Sequence, residues 1–151
     1  MNLMRSVVCP VSNEKVPENQ TRVIAFFVSS LFFLFLLTNF LPIVIFLGYD
    51  FFVRGFNYPK ISPLYHISKI ILSISGKSHK LIDRAPKLFA ARIGFVICTF
   101  ILLGAGFGLN ILLNSLTILI IIFSTLEWMF NICVGCIMYS WIILPFYKKV
   151  K

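Results

Sequence analysis

The sequence predicts an all-α integral membrane fold, a four-helix bundle with an interfacial amphipathic helix in its central cytoplasmic segment. Three observations carry that prediction. The 151 residues are 59% hydrophobic and only 13% charged, whereas a soluble domain is roughly half apolar and about a quarter charged. The apolar residues gather in two long runs, 23–53 and 93–147. The 14 Lys and Arg lie in an N-terminal tail, a central segment from Arg54 to Arg92, and a C-terminal tail. A chain of this length is expected to form a single membrane domain, 1–151.

Residues 1–22 carry Arg5, Lys15 and Arg22 but no apolar core of a signal peptide. They are read as a cytoplasmic tail, and the run that follows as a retained anchor. That run holds 31 residues, about 46 Å as one helix against a hydrocarbon core of roughly 30 Å. Asn39 and Pro42, in "TNFLP", supply a stop and a restart. The run therefore divides into helices at about 23–39 and 41–56. In the second, Asp50 and Arg54 are four apart and predict a structural ion pair. Arg54 is also expected to snorkel to the interface, because this helix is short.

Charge decides the count of crossings. As one crossing, the first run would place eight basic residues on the exported side, against the bias of Lys and Arg toward cytoplasmic loops. With four helices, every basic segment is cytoplasmic, and the turns at 38–42 and 110–114 contain none. The net charge of +9 thus reads as orientation in an inner membrane with both termini cytoplasmic, and no nucleic-acid partner is called for. The partner it does imply is the lipid bilayer.

In the central segment, 57–92, Ser62 and Pro63 form an N-cap and first-turn pair. Ser62, His66, Lys69 and Ser73 recur as a narrow polar stripe among isoleucines, as expected of a helix lying in the headgroup region and ending at Ser75-Gly76. The third helix is placed at about 93–109. Ala90, Gly94, Cys98, Ala105 and Gly108 share one face, with Gly104 beside it, and small residues permit close helix approach in lipid. Packing within the bundle is the first reading of that face. An oligomer contact through Ala90, Gly94, Gly104 and Gly108 is the second.

The fourth helix, about 112–132, brings Cys133 and Cys136 of "FNICVGCIMYS" out at the cytoplasmic interface. Residues 133–151 then hold the cysteine pair and an interfacial tail with Tyr139, Trp141 and Tyr147 beside lysines. Cys9 lies on the same side, and Cys98 in the cytoplasmic half of the third helix. A reducing compartment disfavours a permanent disulfide, and C-x-x-C there usually serves redox chemistry or a metal. Three readings of the pair stay open. The cysteines are small packing residues; they are a thiol redox or sulfur-transfer site; or they bind zinc, for which a second ligand pair is missing unless Cys9 and His66 or His79 complete it. A helix C-terminus disfavours a thiolate, but a break at Gly135 with a new helix starting near Cys136 would reverse that.

Glu127 is an intramembrane carboxylate and hence a functional candidate by default. On one continuous helix it points away from the cysteines, toward Asn131. Its structural alternative is pairing with a basic residue such as Arg22 or Arg92. No phosphate-binding loop, Ser-His-Asp order or H-E-x-x-H is present.

The chain resembles the small bacterial integral membrane proteins of domain-of-unknown-function family 4395. The resemblance runs through Cys9-Pro10, "ENQTRVIAF" with Asn19 and Arg22, and "DFFVRGF" with Arg54. It continues through Ser62-Pro63, "KLFAARIG" with Phe89, Ala90 and Gly94, and "LEWMFNICVGCIMY" with Glu127, Cys133 and Cys136. It implies four helices in a bacterial inner membrane, and Cys9, Glu127, Cys133 and Cys136 as one recurrent pattern, without an established activity. The expected function is a cytoplasmic-face Cys-x-x-Cys for thiol–disulfide redox or sulfur relay. Cys133, Cys136, Cys9 and Glu127 are its candidate catalytic residues, and a thioredoxin-like or sulfurtransferase protein is its partner. The alternative is a non-catalytic membrane subunit or scaffold whose cysteines are packing residues. No cofactor or resident metal is assigned.

Overall fold

The computed structural model describes residues 15–76, 81–83 and 85–149. Cys9, His79 and most of the N-terminal tail lie outside the described residues. Six α-helices account for nearly all of what is described, in the order α1 (Glu18–Thr38), α2 (Leu41–Gly55), α3 (Pro63–Ser75), α4 (Ala85–Gly106), α5 (Asn110–Phe130) and α6 (Val134–Lys149). The exception to the all-α expectation is a two-stranded ribbon. In it β1 (Lys15–Pro17) runs antiparallel to β2 (Leu81–Asp83), with Val16 opposite Ile82.

Three helices are long and apolar enough to cross a membrane: α1, α5, and α4 from Pro86. At 15 residues, α2 is about 22 Å long, short for a span, as its sequence implies. Helix α1 packs against α5 and α2, and α4 packs against α2 and α5. The shared core contains Ile24, Val28, Phe32 and Phe35 from α1, and Val44, Leu47 and Phe51 from α2. Ala91, Cys98 and Ile101 come from α4, Leu113 and Ile120 from α5, and Leu64 from α3. The outward faces are apolar too, with Phe33, Leu37, Phe100 and Ile111 exposed. Helices hydrophobic all round belong in lipid or in a large core.

Each turn has a local cause. After Thr38 the chain reverses through Asn39, whose left-handed φ of 50° lets its N–H return to the Phe35 carbonyl, and Pro42 enters the first turn of α2. The α4–α5 reversal falls at 107–109 rather than 110–114. Gly108 takes a φ of +71° there, a conformation glycine adopts without steric cost, so α5 begins directly at Asn110. Helices α1 and α4 also start earlier than the apolar runs, at Glu18 and Ala85 rather than 23 and 93. Hydropathy marks where a helix is greasy, whereas backbone hydrogen bonding carries it on through its polar first turns.

Helix α3 starts as expected: Ser62 accepts from the Tyr65 N–H at 3.2 Å, Pro63 follows, and Gly76 closes the helix with a φ of 57°. Leu64, Ser68 and Leu72, one stripe at helical spacing, are buried, and α3 packs on α1. Ile67, Ile70 and Ile74 remain exposed.

The α2–α3 junction is held by a buried charge cluster. Asp50 is fully buried, accepts from the Ser62 hydroxyl at 2.5 Å, and lies 2.8 Å from Arg54 Nε. The ion contact lacks hydrogen-bond alignment, so Arg54 neutralises Asp50 mainly by charge. The ion pair read from the sequence is present, but Arg54 turns inward to it, with a side chain only 17% exposed, rather than toward the interface.

Small residues on α4 are used within the chain. A Cβ on Gly94 would come within 2.9 Å of the Phe51 ring, and one on Gly48 would lie 3.5 Å from Cys98 Cβ. Arg92 donates to the Gly55 carbonyl at 3.0 Å, fastening the same two helices.

Removing Asp50 leaves Arg54 partly buried without its counter-charge, which typically costs about 3–5 kcal/mol. Asp50→Ala should therefore lower the unfolding midpoint of detergent-solubilised protein markedly, and Asp50→Ala with Arg54→Met should recover much of the loss. Equal destabilisation by the single and double variants would show the pair to be unimportant.

Candidate functional site

The site is a cavity of about 270 Å³ at the end of the helix assembly that carries α3 and α6. Its walls are mostly apolar, from Ile24, Val28, Ile97, Ile120, Phe123 and Met138, while Lys87, Glu127, Cys133 and Arg54 supply its ionisable groups. A largely apolar pocket with a few convergent polar groups is the usual form of a small-molecule or catalytic site.

Cys133 reaches this cavity because α5 does not continue through it. The helix ends at Phe130, and Asn131 takes a left-handed conformation, φ 57° and ψ 28°, with its N–H bonded to the Leu126 carbonyl. Two groups from the start of α1 hold this break. Arg22 donates to the Trp128 carbonyl through Nε at 3.3 Å and through a terminal nitrogen at 3.2 Å. Glu18 accepts from the Asn131 side-chain amide. The Arg22 bonds satisfy one of the carbonyls that a helix C-terminus leaves without an intrahelical partner, and the Glu18 bond holds the side chain of the turn residue.

Helix α6 starts at Val134, which puts Cys133 in the N-cap position. The Cys136 N–H lies 3.0 Å from the Cys133 carbonyl and 3.3 Å from its sulfur, and Ile137 N–H lies 3.1 Å from the same carbonyl. Sulfur thus stands where a Ser or Asp oxygen usually caps. The pair therefore occupies a helix N-terminus, whose partial positive charge favours a thiolate. Helix α5 ends close to the limit of about 132 expected from sequence, and of the two courses left open beyond it the structure has the new helix. The break falls at Asn131 rather than Gly135, because α1 brings the residues that hold it there.

Gly135 has a different task. A Cβ at this position would lie 2.8 Å from Ala90 Cα and closer still to Ala90 Cβ. Glycine between the cysteines thus lets α6 lie against α4, an approach reinforced by the Phe89–Tyr139 ring contact at 5.7 Å. The small-residue face begins with a contact inside the chain.

The break also changes the surroundings of Glu127. Instead of pointing away from the cysteines, Glu127 shares the cavity with Cys133, and its charge acts on both thiols. Its basic neighbours are Lys87 and, more weakly, Arg54. Neither Arg22 nor Arg92 plays the expected part, since the first binds the Trp128 carbonyl and the second the Gly55 carbonyl.

Lys87 is the residue that sequence reading missed. By charge alone it reads as one more basic residue before the third apolar run. Yet Lys87, Ala91, Gly94, Cys98 and Ile101 follow one another at helical spacing, and the last four are buried. Continuing that stripe backward predicts an inward-facing lysine. Its ammonium donates to the Thr21 hydroxyl and lies within electrostatic reach of Glu127, Cys133, Cys136 and Glu18.

Cys133 and Cys136 are both free thiols, and they are not equivalent. A hydrogen bond from the Cys136 thiol, a backbone N–H and the charge of Lys87 favour the Cys133 thiolate, against opposition from burial and Glu127, and its pKa falls below that of an ordinary thiol. The same hydrogen bond, burial and the neighbouring Cys133 hold the Cys136 proton on. The two thiols therefore differ in acidity, Cys133 being the more readily ionised. Cys98, by contrast, is buried between helices and takes no part. Among the described residues, no three of His, Cys, Asp and Glu gather as metal ligands, and the His66 ring bonds to the Lys60 carbonyl.

Residues 16–143 match the family model described as domain of unknown function (DUF4395). The chain belongs to that family. No curated protein and no solved structure matches it. The DUF4395 match spans every element from α1 to most of α6, and so contains the whole cavity wall described above.

Two outcomes follow for this DUF4395 protein. Gly135→Ala should push α6 off α4 and destabilise by about 1–3 kcal/mol, the usual cost of overpacking, and Ala90→Gly should restore the loss. Thermal unfolding in detergent measures both, and no rescue would place the clash elsewhere. Because the Cys133 thiolate is favoured by the Cys136 thiol, Cys136→Ala should move the onset of Cys133 alkylation to higher pH. An unchanged alkylation profile would remove the asymmetry.

Proposed function

We propose that this protein is a bacterial inner-membrane thiol–disulfide exchange protein whose Cys133 attacks and whose Cys136 resolves. In this reading α1, α2, α4 and α5 form a transmembrane four-helix bundle with both termini in the cytoplasm. Helix α3 lies in the headgroup region with Ile67, Ile70 and Ile74 toward the acyl chains. The basic residues of 54–92 favour that orientation, as does the absence of Lys and Arg from the turns at 39–40 and 107–109. The observation that carries the chemistry is Cys133 at the N-cap of α6, beside Lys87 and with Cys136 as hydrogen-bond donor.

The exchange runs through two displacements. The Cys133 thiolate attacks one sulfur of a substrate disulfide, forming a mixed disulfide and expelling the other sulfur as a thiolate that takes up a proton. Cys136 then loses its proton, with Glu127 as the nearby carboxylate acceptor, and attacks the Cys133 sulfur. The Cys133–Cys136 bond forms, the second substrate sulfur leaves as a thiolate, and two electrons have passed to the substrate. The reverse sequence returns the dithiol at the expense of a partner's thiols. A thioredoxin-like protein or a sulfurtransferase fits the partner's role, since both present a reactive sulfur to an accessible thiol.

Mass-tagged maleimide applied to membranes over a series of redox poises tests the reading, using a chain whose Cys9 and Cys98 are replaced by alanine. Cys133 and Cys136 should lose their tags together in one two-electron transition. Its midpoint is expected between about −270 and −120 mV, the span of known C-x-x-C carriers. Two tags at every poise would reduce the cysteines to packing residues. A membrane-impermeant maleimide should reach the pair in inverted vesicles and not in intact cells, and the opposite pattern would overturn the orientation.

A further inference from the structure

A dithiol that turns over needs two partners, one that supplies electrons and one that removes them. Cys133 is partly exposed, so a protein thiol or disulfide can reach it from the aqueous side. It also lines the cavity, whose walls are of a different character from a protein-docking surface. The cavity, about 270 Å³, is near the lower end of small-molecule sites, roughly 300–1,000 Å³.

We infer that this cavity is the binding site for the second partner, a lipid-soluble two-electron acceptor of the quinone class. The inference rests on the thiol reading above and assigns its electron acceptor. The polar end of the cavity carries Lys87, a hydrogen-bond donor suited to a carbonyl oxygen, with Glu127 and the Cys133 sulfur on the same lining. The remainder is aliphatic and aromatic, including Ile97, Phe123 and Met138. A small oxyanion would be stripped of water against those walls, which is costly without full pairing. Lys87 already serves Glu127, and Arg54 is committed to Asp50 at 2.8 Å. An uncharged ring with two carbonyl oxygens meets the walls and the donor together.

The step balances without any further reactant. Cys133 and Cys136 give up two electrons and two protons and become joined by a disulfide bond. The quinone takes up two electrons and two protons, its two carbonyl oxygens becoming hydroxyls. Lys87 places a proton at the nearer oxygen and regains one from the thiol pair. The protein disulfide formed here is then reduced by a partner's thiols, which closes the cycle.

Anaerobic mixing of the reduced full chain in detergent with a decyl-tailed benzoquinone tests the inference. The number of maleimide tags and the absorbance of the quinol are followed together. The pair should lose both tags as one quinol forms per chain. Filling the cavity by Val28→Trp should abolish this oxidation, and Lys87→Met should slow it at least tenfold, with Lys87→Arg restoring most of the rate. Diamide, a water-soluble oxidant, reports in each variant whether the folded pair can still close. A wild-type chain oxidised by diamide but not by the quinone overturns the cavity assignment and leaves the thiol reading standing. A Val28→Trp chain oxidised by the quinone at the wild-type rate overturns it as well. If neither reagent joins the cysteines, the thiol reading and the quinone site fall together.

Discussion

Where a helix ends, its last main-chain carbonyls need partners from outside the helix. The interruption at Asn131 creates such an end between α5 and α6. Its cost is met from one place, the first turns of α1. Arg22 takes the Trp128 carbonyl and Glu18 takes the Asn131 side chain. The intervening residues are engaged as well, since Thr21 accepts from Lys87 and Gln20 donates to the Tyr65 carbonyl of α3. Contacts from four residues, Glu18, Gln20, Thr21 and Arg22, thus tie α5, α4 and α3 to the start of α1. The end of the assembly that holds the cavity is assembled around that turn.

The chemical consequence of the break is a change in the sign of the field at the cysteines. Were α5 to run on, both sulfurs would face the carbonyl end of a helix dipole, where a thiolate is disfavoured. With α6 starting afresh at Val134, the same residues meet an N–H end. Gly135 makes this arrangement compact rather than flexible, because it allows the backbone of α6 to approach Ala90. A glycine between two cysteines is easily taken for a hinge, and here it is a contact.

Features with local causes were legible in the sequence. Asn39 with Pro42, Ser62 with Pro63, Gly76 as a stop, and Asp50 with Arg54 were each readable within a few residues, and each is present. The starts of α1 and α4 precede the apolar runs because an apolar window stops at the first charge, although Arg22 and Lys87 lie on helical turns. The break at Asn131 was beyond local reading, since asparagine in a left-handed conformation has no unique signature and the groups that hold it lie more than a hundred positions away. The site suffered most from this. Cys133 and Glu127 stand out in the sequence by residue type and placement, yet their shared cavity and the inward position of Lys87 depend on that distant contact. Cys9 lies outside the described residues and adds nothing to the geometry.

Two charged clusters lie at this end of the molecule, and they differ in how fully their charges are matched. Asp50, Arg54 and Ser62 form a closed set: one anion, one cation and a hydroxyl, with Asp50 fully buried. The second set is unbalanced. Lys87 is a cation within electrostatic reach of Glu127, Cys133 and Cys136, and it favours the Cys133 thiolate while the Glu127 charge opposes it. In a medium of low dielectric such a pair shares its proton inventory, and gain of charge on one acid is felt as a penalty on the other. Under the proposed exchange this coupling gains a direction. Once the Cys133 sulfur enters a disulfide it carries no charge and no longer competes with Glu127 for Lys87. Reduction of the disulfide restores the competitor and drives a proton back toward one of the two acids. Electron transfer and proton movement are thereby joined by ordinary Coulomb interaction among three side chains, without any change in the fold.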